Sequence, residues 1–351
     1  MYMTGPSSSA TYNKRCGLML LLLSLSILAF SQKVQHSYSQ GEMGNDYNLN
    51  DDKSKRRFSF NIIKILERQR SRKWNRSGIK YFQFEDEQAI HAVYASNTGK
   101  EKMLLIHGFG ANGLLQWYDA ARILNADYDV IITDLLGSGT TLMKQDGYTI
   151  KDQVEHLKAT IDFLGVNEKI IVVGNSYGGL VASHFAHYYP DYVSKLVIYD
   201  APAKHYQLSY ANQIAATMGL NNIEQLLIPP TPEVMKQSLK IIYHKVPYIP
   251  DFIFEAMFQE PDHVQRAHQK KLLDHLIGFE KYYQVMDYQF KMPIYLIWGE
   301  YDLLIPLTTA FTLKEEYNIP DERMAIIPNA AHAANMEFPK EFCKALRELI
   351  K

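Results

Sequence analysis

Cysteine is scarce: Cys16 and Cys343 are the two in 351 residues. Two thiols cannot make a disulfide framework or a four-cysteine zinc site. Charge of one sign is lacking as well, since 37 Lys and Arg stand against 38 Asp and Glu for a formal net charge of −1. A nucleic-acid binder carries a basic surplus, so no nucleic-acid partner is expected. There is no internal repeat and no long low-complexity tract. What the chain does have is 47% hydrophobic and 21% charged residues, which suits a large buried core in one big α/β domain or two small ones.

The N-terminal 31 residues read as a targeting segment. Lys14 and Arg15 precede an uncharged apolar run over residues 17–30, and polar residues follow at once. A basic start, a short apolar stretch and small residues at the exit mark a secretory signal. Ala29 and Ser31 suit the −3 and −1 positions of a cleavage site after Ser31. The run falls short of the ~20 residues of a spanning helix, yet an uncleaved anchor is the second reading. Either one makes the protein exported (periplasmic or secreted) or membrane-anchored.

Residues 32–77 form a polar linker followed by a basic amphipathic segment. Lys53, Lys55, Arg56 and Arg57 lead into a stretch mixing Ile62, Ile63, Ile65 and Leu66 with Arg68, Arg70, Arg72 and Lys73. Such a segment near a membrane signal can rest on anionic lipid through residues 53–74. A short helix packed on the domain, with its basic face solvated, accounts for the same pattern.

Regular alternation begins near residue 78. Residues 80–84 and 89–94 are expected as a strand pair. Short apolar strands at 103–106, 130–133, 169–173, 195–199, 293–298 and 324–327 alternate with helical patterns at 114–124, 150–164, 180–188 and 340–350. Apolar strands separated by amphipathic helices imply an α/β fold, with a mostly parallel central sheet and helices on both faces. Residues 203–290 break the alternation and read as a helical insertion, a candidate cap over the sheet's carboxyl edge.

Chemistry concentrates at strand ends. Gly174-Asn175-Ser176-Tyr177-Gly178 sits between an expected strand and an expected helix, the context of a nucleophile elbow. Ser176 is the candidate nucleophile, and the Tyr177 N–H is one oxyanion donor. His107-Gly108-Phe109-Gly110 follows an earlier strand, making the Phe109 N–H the second donor, while His107 reads as structural. His332, in a small-residue loop after the last strand, is the candidate base. Asp302 follows the strand before it and completes the order Ser…Asp…His. Asp200 and Glu300 are rival acids. His184 and His187 lie along the helix after the elbow, pointing away.

The set HGFG, GNSYGG, GEYDLLIP and NAAHAANMEFP resembles the serine α/β-hydrolase superfamily over about residues 78–351. Asp134-Leu135-Leu136-Gly137-Ser138-Gly139 is similar to that superfamily's turn after a sheet strand, although Thr140 and Thr141 stand where Arg-Ser is common. A closer likeness is to membrane-associated monoacylglycerol lipases and bacterial lipases, which share an N-terminal apolar segment, a basic stretch and HGF.

The resemblance implies the α/β-hydrolase fold and hydrolysis of carboxylic esters, acylglycerols included, through an acyl-enzyme on Ser176. It requires neither metal nor organic cofactor. The partner implied is a small-molecule ester, lipid among the candidates. Two alternatives stay open. Asn175 before the serine resembles carbon–carbon bond hydrolases of ring-cleavage diketones, with Arg266 as the one arginine in the insertion able to clamp a carboxylate. A non-catalytic binding module on the same fold is the other.

Overall fold

Strands of five to seven residues rich in Val, Ile and Leu build the centre of the molecule. The computed structural model describes residues 62–202, 206–259, 263–278 and 286–351. The apolar run at 17–30 and the basic residues 53–57 lie outside them. The strands are β1 (Lys80–Glu85), β2 (Ala89–Ala95), β3 (Lys102–Ile106), β4 (Asp129–Thr133), β5 (Leu142–Met143), β6 (Ile170–Asn175), β7 (Val193–Tyr199), β8 (Ile294–Gly299) and β9 (Met324–Ile327). They order as β1-β2-β4-β3-β6-β7-β8-β9, with short β5 on β2. β1, β2 and β4 pair antiparallel, and from β4 to β9 every pairing is parallel.

The two-residue period of a strand puts alternate side chains on opposite faces. Leu104, Ile106, Val172, Leu196, Ile198 and Trp298 enter one core layer, and Met103, Leu105, Ile171, Val173, Val197 and Ile297 enter the other. Burial on both faces explains why these strands read as unbroken apolar runs.

Helices cover both layers. The basic segment forms α1 (Ile62–Arg76), whose Trp74 is fully buried and donates Nε1–H to the Tyr118 carbonyl at 3.1 Å. This helix lies within the compact unit Asn61–Lys351. Residues 114–124, expected as one helix, form two: α2 (Gly113–Gln116) and α3 (Tyr118–Leu124). Trp117 leaves the helical path with φ −98° and ψ 5° between them, its ring buried against Tyr199 and Phe342. Burying that indole outweighs continuing the helix through it.

α4 (Ile150–Phe163) opens on a capping box between Thr149 and Asp152. α5 (Tyr177–Tyr188) follows β6 directly. Between β7 and β8 lies the helical insertion: α6 (Leu208–Thr217), α7 (Ile223–Leu227), α8 (Pro232–Ile242), α9 (Asp251–Gln259) and α10 (His263–Gly278). The proline cluster before α8 is a start signal, with Thr231 as cap and Pro232 in the first turn. α11 (Leu307–Glu316), α12 (Ala334–Glu337) and α13 (Pro339–Leu349) complete the chain. Cys343 on α13 is buried and free, and burial pushes its thiol up to about 12. Among the described residues no helix is long and apolar enough to cross a membrane.

Candidate active site

The parallel strands β3, β6, β7 and β8 all end at one edge of the sheet, and the motif residues lie at or just beyond these ends. Ser176 joins β6 to α5 with φ 54° and ψ −123°. A non-glycine residue at positive φ is strained. Its N–H donates to the Tyr199 carbonyl at 2.9 Å, which fixes the turn to β7. The flanking glycines are required by contact. A Cβ on Gly174 would sit 2.2 Å from the Gly178 carbonyl oxygen, and one on Gly178 would sit 2.4 Å from that of His107. The loop after β3 thus lies directly against the elbow. Phe109 is partly buried there, its ring edge-on to that of Tyr177 at 6.3 Å.

His332 follows β9 in a buried loop. Its Nδ1 lies 2.7 Å from Asp302 Oδ2, and both side chains are nearly or fully buried. The other oxygen of Asp302 accepts the N–H groups of Leu304 and Ile305 at 2.8 and 2.9 Å. Both oxygens of Asp302 therefore have a hydrogen-bond partner. With Nδ1 bound to the carboxylate, Nε2 is the ring nitrogen left for proton exchange.

Asp200 ends β7 at φ 44° and is fully buried. Its Oδ1 accepts the Gly299 N–H at 2.8 Å, while Oδ2 has no hydrogen-bond partner among the described residues. Burial, and then the Asp302 charge, push its carboxyl well above the usual carboxylate range. Of the two carboxyls, Asp200 is the one whose surroundings favour the protonated form. One donor atom each from Asp200, Asp302 and His332 lies within 4.8 Å of the other two, a spacing that could hold a metal ion. Both oxygens of Asp302 and Nδ1 of His332 are already committed to hydrogen bonds, which leaves Asp200 Oδ2 and His332 Nε2 as the open atoms. Glu300 is exposed and accepts the Asn329 N–H at 2.9 Å, holding the histidine loop from outside.

The other sequence candidates have structural partners. His107 accepts the Leu135 N–H at Nε2 and turns Nδ1 to the Gly108 carbonyl, and burial lowers its pKa. His184 and His187 hold residues 288 and 289 against α5. The Asp134 carboxylate accepts the Gly113 N–H and both the N–H and hydroxyl of Thr140. Thr141 donates its hydroxyl to the Asp134 carbonyl. The two threonines that depart from the common pattern thus brace this turn.

A family model for the alpha/beta hydrolase fold matches residues 102–339. The chain belongs to the alpha/beta hydrolase family. Human monoacylglycerol lipase ABHD6 is 26% identical to it over 279 residues, which cover 78% of this chain and 82% of that one. A 2-hydroxy-6-oxononadienedioate/2-hydroxy-6-oxononatrienedioate hydrolase from Paraburkholderia phymatum is 28% identical over 275 residues, covering 73% and 88%. A membrane phospholipase A of known structure superposes with a TM-score of 0.68 at 20% identity, covering 95% of this chain and 97% of its own. At that identity the likeness speaks for the fold.

Three amide side chains outside the acid–base pair hold the hydrolase's loops together. Gln116 accepts the Gly108 N–H at 2.8 Å and donates Nε2–H to Asn175 Oδ1 at 2.7 Å. Asn175 in turn donates Nδ2–H to the His332 carbonyl at 3.3 Å. One buried amide pair thus links the loop of Phe109, the serine turn and the histidine loop. Asn335 extends the chain, donating to the Gln116 carbonyl and meeting the Tyr199 hydroxyl. Asn175 was visible as the serine's neighbour. Gln116 sits within an expected helix and Asn335 three residues past His332 in its motif, and their roles become significant only once the sheet brings them together.

Proposed function

We propose that this hydrolase cleaves carboxylic esters, acylglycerols included, through a covalent acyl-enzyme on Ser176. The observation that carries the reading is the His332–Asp302 bond at 2.7 Å, its carboxylate pinned by two further N–H groups, at the sheet edge where Ser176 stands in a strained turn. The kinship with a monoacylglycerol lipase supports the ester as the bond attacked.

The reaction follows from these positions. Ser176 Oγ attacks the ester carbonyl while Nε2 of His332 takes the hydroxyl proton. Asp302 holds the ring in the tautomer that leaves Nε2 free and stabilises the imidazolium formed. The Phe109 and Tyr177 N–H groups receive the developing oxyanion, each contributing on the order of 3 kcal/mol at the transition state. Collapse breaks the carbon–oxygen bond, and the departing alcohol takes the proton from His332. Water then attacks the acyl-serine with His332 again as base, releasing acid and free Ser176.

The insertion acts as a cap in this proposal. Tyr206 and Tyr210 donate their hydroxyls to the Leu304 and Leu303 carbonyls, beside Asp302. A Cβ on Gly110 would meet the Leu227 carbonyl oxygen at 3.6 Å, so the end of α7 lies over the loop of Phe109. The apolar run at residues 17–30 places the enzyme outside the cytosol or on a membrane, as signal or anchor.

Carbon–carbon bond cleavage is the second reading, favoured by Asn175 and by the ring-cleavage relative. Arg266 weighs against it. Its guanidinium donates to the Pro229 and Phe258 carbonyls at 3.3 and 2.6 Å and lies over the Phe258 ring, engaged where a substrate carboxylate would need it. The deciding experiment is fluorophosphonate labelling of the protein beside Ser176→Ala, with a panel of esters from acetyl to palmitoyl. The proposal expects labelling and turnover that vanish in the alanine form. A folded protein that neither labels nor turns over any ester would overturn it and favour diketone cleavage or a binding module.

A further inference from the structure

Two surface features that the chemistry does not use lie side by side. The first is on α1, which carries six cations and one acid, Glu67. Lys64, Arg68, Arg72 and Arg76 are four residues apart in series, so they line neighbouring turns, and all four are exposed. Arg68, Arg72 and Arg76 have no ion-pair partner among the described residues, whereas Arg70 stacks over Tyr118. The opposite side of the helix is committed to the body through Trp74 and through Glu67, which accepts a hydrogen bond from Asn112 just beyond the loop of Phe109.

The second feature is an aromatic ridge between α8 and α9. Pro247 and Pro250 stiffen it. Val246, Tyr248 and Phe252 point outward, with Tyr248 80% and Phe252 57% exposed. Its base is clamped, because Glu337 accepts the N–H groups of His244 and Lys245, and the His244 ring stacks on Tyr301 at 4.4 Å. The ridge is thus an apolar tip on a rigid mount. α9 packs against α1, which brings ridge and cationic stripe together. The acids on α9 do not cancel the stripe, since Asp251 pairs with Lys236 at 2.6 Å and Glu255, the other acid, also interacts with Lys236.

We propose that the exposed face of α1 and the ridge at residues 246–252 form a docking surface for an anionic lipid bilayer. Cations beside exposed aromatics are what a charged bilayer surface selects. The basic side chains meet lipid phosphates while Tyr and Phe sit at headgroup depth. The placement serves the site. The ridge's mount bonds to the histidine loop, where the Ala333 N–H donates to the Ile242 carbonyl, and α1 bonds to the loop beyond Phe109. This deepens the esterase reading by naming bilayer lipid as the source of the ester, while the docking itself is measured without turnover.

The test uses the full chain carrying Tyr248→Trp. The native Trp74, Trp117 and Trp298 are all fully buried, so the new indole is the accessible one. Vesicles of phosphatidylcholine with brominated acyl chains, with or without phosphatidylglycerol, serve as quenchers. The proposal expects strong quenching on the anionic vesicles and little on the zwitterionic ones. Adding Arg68→Glu, Arg72→Glu and Arg76→Glu, or raising salt, should weaken the anionic response by about tenfold or more. Soluble-ester turnover should stay at the wild-type level in both variants. Equal quenching on both vesicle types, no quenching on either, or a response indifferent to the three reversals would overturn the proposal. So would a concentration-dependent blue shift without vesicles, which would mean that a second copy covers the ridge. Loss of soluble-ester turnover in the wild type would instead sink the esterase reading and leave the quenching result standing.

Discussion

Replacing Asp200 by asparagine asks where the buried acid pair keeps its proton. Asp302 faces three donors, whereas Asp200 faces one and has an unpartnered oxygen. The proton therefore belongs on Asp200. Asparagine keeps the acceptor for Gly299, puts an amide where the acid hydroxyl was, and tolerates the φ of 44°. The substitution then changes no charge near His332, and kcat/KM for a soluble ester should keep the lower limb of its pH profile within about half a unit.

The opposite premise gives a very different number. An ionised Asp200 within 4.8 Å of the imidazole would stabilise the imidazolium by at least about 3.5 kcal/mol at an effective dielectric constant of about 20. Removing that charge would move the limb down by about 2.5 pH units. The two cases differ far beyond the error of a pH–rate profile. A downward shift of one unit or more in Asp200→Asn would refute the assignment of the proton to Asp200.

Two further outcomes follow from the packing at Gly299 and at the buried His156. A Cβ on Gly299 would lie 2.2 Å from the Ala331 carbonyl oxygen, next to His332. Gly299→Ala should cost about 1–3 kcal/mol, seen as a melting point lower by several degrees, and slow fluorophosphonate labelling. Gly278→Ala, which meets nothing within 4 Å, is the control and should leave both unchanged. Acid should destabilise the fold through His156, whose pKa burial lowers from 6.5 to about 3. A depressed pKa means stability is full above pH 6.5 and falls as pH drops toward 3, by a few kcal/mol in all. Urea unfolding at pH 7 and pH 4 should show that loss, and His156→Gln should flatten it. An unchanged slope in the variant would contradict the reading.

The parallel sheet was legible because strands buried on both faces leave runs such as Ile170–Val173 that no surface strand would show. The elbow was legible because a serine between such a run and a helix needs glycines on both sides. The break at Trp117 was not, since only the tertiary pocket made by Tyr199 and Phe342 decides it. The amide link of Gln116 and Asn175 was hidden for a related reason, because 59 residues separate two side chains that look like ordinary polar residues in sequence. Asp200 was read as a rival acid. Its raised pKa depends on desolvation and on a carboxylate that reaches it only through the β7–β8 pairing.

The joint between the insertion and the acid loop has a consequence for how this enzyme can change. Tyr206 and Tyr210 grip main-chain oxygens at Leu304 and Leu303 rather than side chains. Every amino acid offers such an oxygen, so the joint is blind to which residues occupy those two positions. Among the described residues, the side chains of His332 and Asp302 bond to each other and to the loop after β8, and to nothing in the insertion. The helices between β7 and β8 can therefore diverge, or be exchanged for another set, without rewriting the acid–base pair. Natural variation in what the enzyme accepts should collect in residues 206–278, while the sheet edge beneath keeps one chemistry.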